Sequence, residues 1–282
     1  MAEAPFGTYA LPARIERLRR FGLSLGTGPA ARRATSIIRR ICLSGRPDPI
    51  DVEPFPGQRA RLHPRDNLSE KRVFGALQFW DASEREALKA HLRNSPEPFI
   101  FVDAGANVGL YTLAVRSFGP IRGLAIEPDA ENLRRLRFNL DASAAAEVTV
   151  VGCALLDREG EIELAAANGN RGEISVVDAA SAPTAKTRAR PLLDLVLEAG
   201  FERIDALKID IEGMEEPVLS AFFAKAPGQL HPRMVILEAR RNEETPALAF
   251  LRQHRYMPVQ RTKMNVILAP ESEQKDPTHG QA

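Results

Sequence analysis

Phe99-Ile-Phe-Val-Asp103-Ala-Gly105-Ala-Asn107-Val-Gly109-Leu-Tyr-Thr112 carries an apolar run into an acid and a glycine-rich turn, and then into a helix. The unbroken apolar stretch Phe99 to Val102 predicts a parallel strand buried on both faces, and Val108, Leu110, Leu113 and Ala114 continue at helical spacing. The turn therefore lies at the carboxyl end of a strand, where open α/β sheets hold their ligands. Gly105 and Gly109 leave the backbone bare for a ligand's approach, and Asn107 is among the few non-glycine residues that tolerate positive φ. Turns of this composition also close ordinary strand–helix corners.

Two ligand classes use such a unit. A dinucleotide site has G-x-G-x-x-G with a pyrophosphate at the helix N-terminus; here the pattern is D-x-G-x-N-x-G. The Asp103 carboxylate suits the α-amino group of S-adenosylmethionine and repels a pyrophosphate. The next unit points the same way. Ile121 to Ile126 reads as a second strand ending in Glu127, 24 positions after Asp103, and Leu133, Leu136 and Leu140 share a face of the following helix. An acid at that place accepts both ribose hydroxyls. The alternative is a helix cap, a role that Asp129 also fits, with Pro128 suited to a first turn.

Four motifs in order, Phe101-Val-Asp-Ala-Gly-Ala-Asn-Val-Gly-Leu-Tyr, Ala125-Ile-Glu-Pro-Asp, Lys208-Ile-Asp-Ile-Glu-Gly-Met-Glu215 and Val235-Ile-Leu-Glu-Ala239, resemble the FkbM family of S-adenosylmethionine-dependent methyltransferases. The third is the most family-specific. The resemblance covers about residues 99 to 239. It implies an α/β, Rossmann-like class I methyltransferase fold, with a mostly parallel seven-stranded sheet, helices on both faces and an N-terminal helical extension. It also implies methyl transfer, usually to oxygen, on acceptors that include sugars and polyketide hydroxyls. In this fold adenine sits beyond the third strand, here Val148 to Val151, at the level of Cys153-Ala154-Leu155; Ala154 joins Asp103, Gly105, Asn107, Gly109 and Glu127 as a cofactor-binding candidate. Cys153 reads as a small buried apolar residue, not a nucleophile.

With 282 residues, 44% of them hydrophobic, the chain can bury a full core. A net charge of +1 argues against general nucleic-acid binding. Residues 1–50 nevertheless hold nine arginines against three acids. No apolar run reaches the roughly 20 residues that span a bilayer, and Glu3, Pro5, Pro12 and Arg14 interrupt any leader core. Two cysteines without metal-ligand spacing fit a reducing compartment. The expectation is a cytoplasmic protein. The segment Ala30 to Leu43 pairs Ile37, Ile38 and Ile41 with four arginines, which fits peripheral contact with an anionic membrane or an acidic partner, or a helix packed on its own domain.

The organisation expected is a basic helical extension over 1–50, a Pro- and Gly-rich linker and lid-like segment over 51–98, a methyltransferase domain over 99–269 and a disordered tail over 270–282. Ser83 with Glu86 suggests a capping box for a helix to about Asn94, and Phe79 and Trp80 either line the cofactor entrance or pack as core. Beyond the third strand, 160–164 and 174–177 read as antiparallel additions around a polar loop at 168–172. Leu192 to Ala199 reads as a helix ended by Gly200, and 205–210, 234–238 and 265–268 read as strands.

Methyl transfer to a hydroxyl needs a group that takes its proton, or a metal that stabilises the alkoxide. Asp210 and Glu212 follow the fourth strand and Glu238 ends the fifth, so the catalytic candidates are Asp210, then Glu238, then Glu212. Asp210 and Glu212 point the same way if the strand extends that far. Glu215 suits a helix start, and Lys208 fits a partner for a carboxylate. No metal site is assigned, although a cation shared by Asp210 and Glu238 is an alternative. His63 is a further candidate base, and Arg171 a candidate acceptor contact. The chain is therefore expected to methylate a hydroxyl of a small molecule or glycan. The competing readings are a non-catalytic S-adenosylmethionine-binding module and an NAD-dependent sugar-modifying enzyme.

Overall fold

The computed structural model describes residues 3–166, 174–176 and 184–273. Two helices come first, α1 (Ala13–Ser24) and α2 (Pro29–Leu43), then a hairpin, β1 (Ile50–Phe55) and β2 (Gln58–Leu62), and helices α3 (Leu68–Ala76) and α4 (Ala82–Arg93). The alternating part follows: β3 (Phe99–Ala104), α5 (Leu110–Arg116), β4 (Ile121–Ile126), α6 (Ala130–Ala142) and β5 (Val148–Val151). Four short strands, β6 (Ala154–Leu155), β7 (Gly160–Ala166), β8 (Ile174–Val176) and β9 (Thr184–Arg190), make a separate sheet. The chain then returns through α7 (Leu192–Glu198), β10 (Ala206–Ile209), α8 (Glu215–Lys225), β11 (Val235–Glu238), α9 (Pro246–Gln253), β12 (Tyr256–Arg261) and β13 (Asn265–Pro270).

Among the described residues the central sheet has seven strands in the order β12-β13-β11-β10-β3-β4-β5. The five from β11 to β5 run parallel, and β13 and β12 are antiparallel additions at one edge. Strand order reverses between β3 and β10, and a cleft opens there at the strands' carboxyl ends. Alternate residues of each strand enter two different cores. Phe99, Phe101 and Ile236 pack on one side with α5 and the N-terminal elements, and Ile100, Val102 and Val235 on the other with α7, α8 and α9. That is why these strands read as unbroken apolar runs. Strand β12 escapes the pattern because it lies at the sheet edge, with Pro258 beside an irregular register where a missing amide is tolerated.

The Pro- and Gly-rich stretch expected as linker is part of the fold. Pro54 sits at the irregularity between Val52 and Phe55, Gly57 makes the turn at φ +71°, and Ile50, Phe55, Leu62, Val73, Phe74 and Trp80 belong to the first core. The local turn signals are real; the burial of the flanking residues is a tertiary fact that they do not report. Helix α4 also starts differently from the expected capping box: Asp81 is its N-cap, in the left-handed region at φ 39°, with no capping hydrogen bond from its side chain. The polar loop at 168–172, including Arg171, and residues 274–282 of the tail lie outside the described residues. Among the described residues, no helix is long and apolar enough to cross a membrane.

Gly105 is fixed by packing within the sheet. It sits at φ +78°, and a Cβ there would lie 1.9 Å from the Asp210 carbonyl oxygen. Gly109, at φ +85°, would press its Cβ to 2.6 Å from Leu136. Both glycines are thus required where chain meets chain, not only where a ligand approaches. Gly105→Ala is expected to cost about 3 kcal/mol or more, because strain and a backbone clash add. Gly57→Ala, also at positive φ but with nothing within 4 Å of the added Cβ, is expected to cost only the conformational strain of about 1–2 kcal/mol. Thermal unfolding of the two variants side by side checks the difference, and equal losses would contradict the packing argument.

Candidate functional site

The cleft lies over the ends of β3, β4 and β10. Its lining includes Asp103, Gly105, Asn107 and Glu127, Cys153 and Ala154 beyond β5, and Lys208 of β10 with Asp210 just after it. With the open solvent at its mouth included, its space comes to about 1030 Å³. Of the cofactor candidates, Asp103, Gly105, Asn107, Glu127 and Ala154 line it; Gly109 instead starts α5 behind it.

The glycine-rich turn is held by the strands it crosses. The Gly105 and Ala106 amides donate to the Ile126 carbonyl at 3.0 and 2.9 Å. Asn107 adopts φ 52°, as its residue type allows. Its amide donates to Glu127 Oε2 at 2.8 Å, and its side-chain oxygen accepts from Asn67 Nδ2 at 3.0 Å. Asn67 in turn caps α3, accepting from the amides of Ser69 and Glu70. The segment before the first strand therefore holds the cofactor turn directly.

Asp103 performs a duty its position in sequence does not announce. Gly109 has no side chain to cap α5, and Asp103 Oδ2 accepts instead from the Thr112 amide at 3.1 Å and the Thr112 hydroxyl at 2.7 Å. Burial raises the Asp103 carboxyl, and the nearby Lys208 charge and the Thr112 hydrogen bonds oppose that rise.

Glu127 and Asp129 divide the two roles left open by the sequence. Asp129 caps α6, accepting from the amides of Glu131 and Asn132. Glu127 stays in the cleft; its Oε1 accepts from the Asp129 amide at 3.0 Å. Burial pushes its carboxyl up to about 7, despite these hydrogen bonds. Cys153 is buried, and burial raises its thiol to about 11, which fits an inert apolar residue.

Beside this cleft lies a second cavity lined by Ser69, Arg72, Asp81, Glu212, Glu238 and Asn265, with Lys208 and Asp210 between the two. Because β10 and β11 pair at Ile209 and Leu237, the residues that follow, Asp210 and Glu238, stand side by side and hydrogen-bond through their carboxyls. Lys208 Nζ donates to Asp210 Oδ2 at 2.8 Å. Burial alone would raise Asp210, but the Lys208 charge and the Glu238 hydrogen bond hold it below the ordinary carboxylate value. Glu238 moves the other way, raised by burial and by the Asp210 carboxylate. The two carboxyls are thus coupled, Asp210 lowered and Glu238 raised.

Glu212 reaches this pair by a different route from the one expected. The strand ends at Ile209, and Glu212 turns the chain back at φ 53°. Carboxylate oxygens of Asp210, Glu212 and Glu238 come within 4.8 Å of one another. Glu215 closes this turn, accepting from the Ile211 amide at 2.9 Å and the Gly213 amide at 3.0 Å. His63 lies away from both cavities, its amide donating to Glu70 Oε2 at 2.6 Å.

Sequence reasoning passed over Asp81 and Tyr111. The Tyr111 hydroxyl donates to Asp81 Oδ2 at 2.8 Å, and its ring lies 4.9 Å from Lys208 Nζ. Asp81 lines both cavities, and burial raises its carboxyl. Asp81 sits in no recognisable motif, its one signal being an acid directly after Trp80; Tyr111 closes the first of the four motifs, which does not report this contact, and Trp80 is itself both core and cleft wall, packed on Phe55 and Tyr111.

The family model described as Methyltransferase FkbM domain matches residues 103–258. AMB antimetabolite synthetase AmbE of Pseudomonas aeruginosa is 31% identical over 181 residues, which is 51% of this chain and 8% of that protein. The chain thus spans a small part of that relative's length. Among solved structures, the METTL16 MTase domain is similar over 94% of this chain and 98% of its own, with 14% identity and a TM-score of 0.44. Precorrin-6y C5,15-methyltransferase from Geobacter metallireducens GS-15 is similar over 66% of this chain and 86% of its own, with 19% identity and a TM-score of 0.41. M. capricolum TrmK, solved with S-adenosyl-homocysteine, is similar over 66% and 68%, with 11% identity and a TM-score of 0.37. The family implies S-adenosylmethionine as the cofactor. The match covers more than half of the chain, including the turn after β3 and the acid pair at the ends of β10 and β11, and the chain belongs to the FkbM methyltransferase domain family.

Proposed function

We propose that the protein transfers a methyl group to a hydroxyl oxygen of a small molecule or glycan, with Glu238 as the proton acceptor and Asp210 as its charged partner. The observation that carries this reading is the carboxyl pair at the junction of the two cavities, one member held ionised by Lys208 and the other raised by its neighbour. Bound S-adenosylmethionine supplies an electrophilic methyl group, so the protein has to align an oxygen with it and remove that oxygen's proton. Asp210, paired with Lys208, is a weak base; Glu238 once deprotonated is a strong one. Ser69, Asn265 and Arg72 offer polar contacts to a hydroxylated acceptor in the second cavity.

Cofactor binding falls to the first cleft. Glu127 accepts the ribose hydroxyls, the Asn107 turn lies against the nucleoside, and Ala154 presents an apolar face to the base. Ribose hydroxyls donate best to an ionised carboxylate, whereas burial leaves Glu127 half protonated near pH 7 in the free protein. Binding near pH 7 therefore releases about half a proton. The affinity for S-adenosylhomocysteine is expected to fall about tenfold between pH 8 and pH 6, and Glu127→Gln should bind more weakly and lose this dependence. Calorimetry at a series of pH values measures both; a flat wild-type profile would remove Glu127 from the ribose.

The transfer itself is tested with labelled S-adenosylmethionine and a panel of hydroxylated acceptors, where label that survives alkaline hydrolysis marks an ether and not an ester. With an acceptor in hand, Glu238→Gln should keep S-adenosylhomocysteine affinity and lower turnover by roughly 10²- to 10⁴-fold. Turnover of the parent protein should rise with pH into the alkaline range, because the raised Glu238 carboxyl must lose its proton before it can act. Asp210→Asn removes the charge that raises Glu238, so its ascending limb should move to lower pH. Full activity of Glu238→Gln, or an unmoved limb in Asp210→Asn, would contradict the assignment.

A further inference from the structure

Helix α2 has two unlike faces. Thr35, Ile38 and Cys42 point into the protein, packed against α1: a Cβ on Gly22 would meet Ile38, and the Thr35 hydroxyl donates to the Gly22 carbonyl. On the opposite face Arg33, Ile37, Arg40 and Ile41 are exposed, the two isoleucines by 59% and 48%. Their spacing of four, three and one residues keeps them on one stripe. Both isoleucines thus leave about half of their surface to solvent, between arginines.

On the flank of that stripe is a basin lined by Ser36, Arg39, Arg40 and Ser44 of the α2 region and by Arg65 and Lys71. Four cations converge there, and the lining contains no acid. Arg65 is already engaged with the Leu43 and Arg46 carbonyls at the end of α2. Arg39 lays its aliphatic stem over Gly75, where a Cβ would meet it at 2.6 Å, so the two helices approach closely and the half-buried guanidinium is held at the basin. Burial and the neighbouring Arg72 charge lower the Arg39 pKa, the mark of a cation without a counter-charge. Helix α3 is shared between sites, with Lys71 in the basin and Ser69 and Arg72 in the second cavity.

We infer that this face of α2 is a peripheral membrane-docking surface: the basin formed by Arg39, Arg40, Arg65 and Lys71 takes the phosphate of an anionic lipid headgroup, and Ile37 and Ile41 enter the acyl boundary beside it. Charge complementarity selects an anionic ligand, and the adjoining isoleucines select a lipid over a free phosphate, which has no use for them. They need no complementary pocket in a bilayer, whereas a folded acidic partner would have to supply one. The inference stands apart from the choice of methyl acceptor.

Co-sedimentation of the full chain with phosphatidylcholine vesicles, with and without phosphatidylglycerol, tests it. The protein should bind only the anionic vesicles, and less as salt rises. Arg40→Glu with Lys71→Glu should lower the bound fraction about tenfold or more, and Ile37→Ser with Ile41→Ser should lower it at equal charge. Unchanged thermal unfolding and S-adenosylhomocysteine affinity show that both double variants are folded. Equal binding to neutral vesicles, or indifference to either double variant, would overturn the inference. So would inorganic phosphate or polyglutamate bound equally by parent and isoleucine variant while vesicles are ignored, which would assign the basin to a soluble anion or an acidic protein.

Discussion

One buried ammonium group organises the site. Lys208 stands opposite Asp103 in the β10–β3 register, bonds Asp210 two residues on, and lies against the Tyr111 ring that in turn holds Asp81. Burial would lower its pKa, but Asp210 and Asp103 outweigh that and keep it charged. Without this cation, two or three carboxylates would be left in a confined space with no counter-charge, and loss of one partner from a buried pair generally costs about 3–5 kcal/mol. The same charge sets the chemistry. It holds the Asp210 carboxyl low, and the Asp210 charge in turn helps burial to raise Glu238.

A second constraint comes from the segment before the first strand. Asn67 joins α3 to the cofactor turn; Arg135 of α6 reaches Asp66 at 2.6 Å and Glu70 at 3.3 Å; Asn139 accepts from the Arg61 amide and donates to the Val108 carbonyl. At the far edge, buried Glu84 of α4 accepts from Thr262 and Asn265, both at 2.7 Å. The cover of the cleft is thus tied to the sheet at several separate places by buried polar bonds. Bonds of this kind specify one geometry, because a slip leaves donors and acceptors unpaired in a low dielectric. The second cavity owes its shape to these ties as much as to the strand ends.

The parallel strands, the turn after β3, the acid after β4 and the carboxylates after β10 and β11 were legible because each depends on local pattern: apolar runs, glycine positions and acids at strand ends. Asn107 is a case in which residue type and backbone agree, at φ 52°. Elsewhere local pattern misled. Pro54, Pro56 and Gly57 signal a chain reversal in a linker and in a buried hairpin alike, and Ser83 with Glu86 imitates a cap that Asp81 provides through its backbone. Pro258 hid an edge strand, since only the sheet's outer position excuses its missing donor.

The sequence by itself determined the fold class, the family and the class of cofactor, because these rest on periodicity and on short motifs whose residues act within a few positions of one another. Tertiary structure alone decided how the two carboxyls shift one another, that Asp103 caps α5, and that Asp81 and Tyr111 line the cleft. Protonation depends on burial and on charges brought together from strands far apart in the chain, as Glu238 and Asp210 are by the pairing of β10 with β11. Gly105 shows the same division in one residue: its place in the turn was readable, but the Asp210 carbonyl that forbids a side chain there comes from more than a hundred residues away.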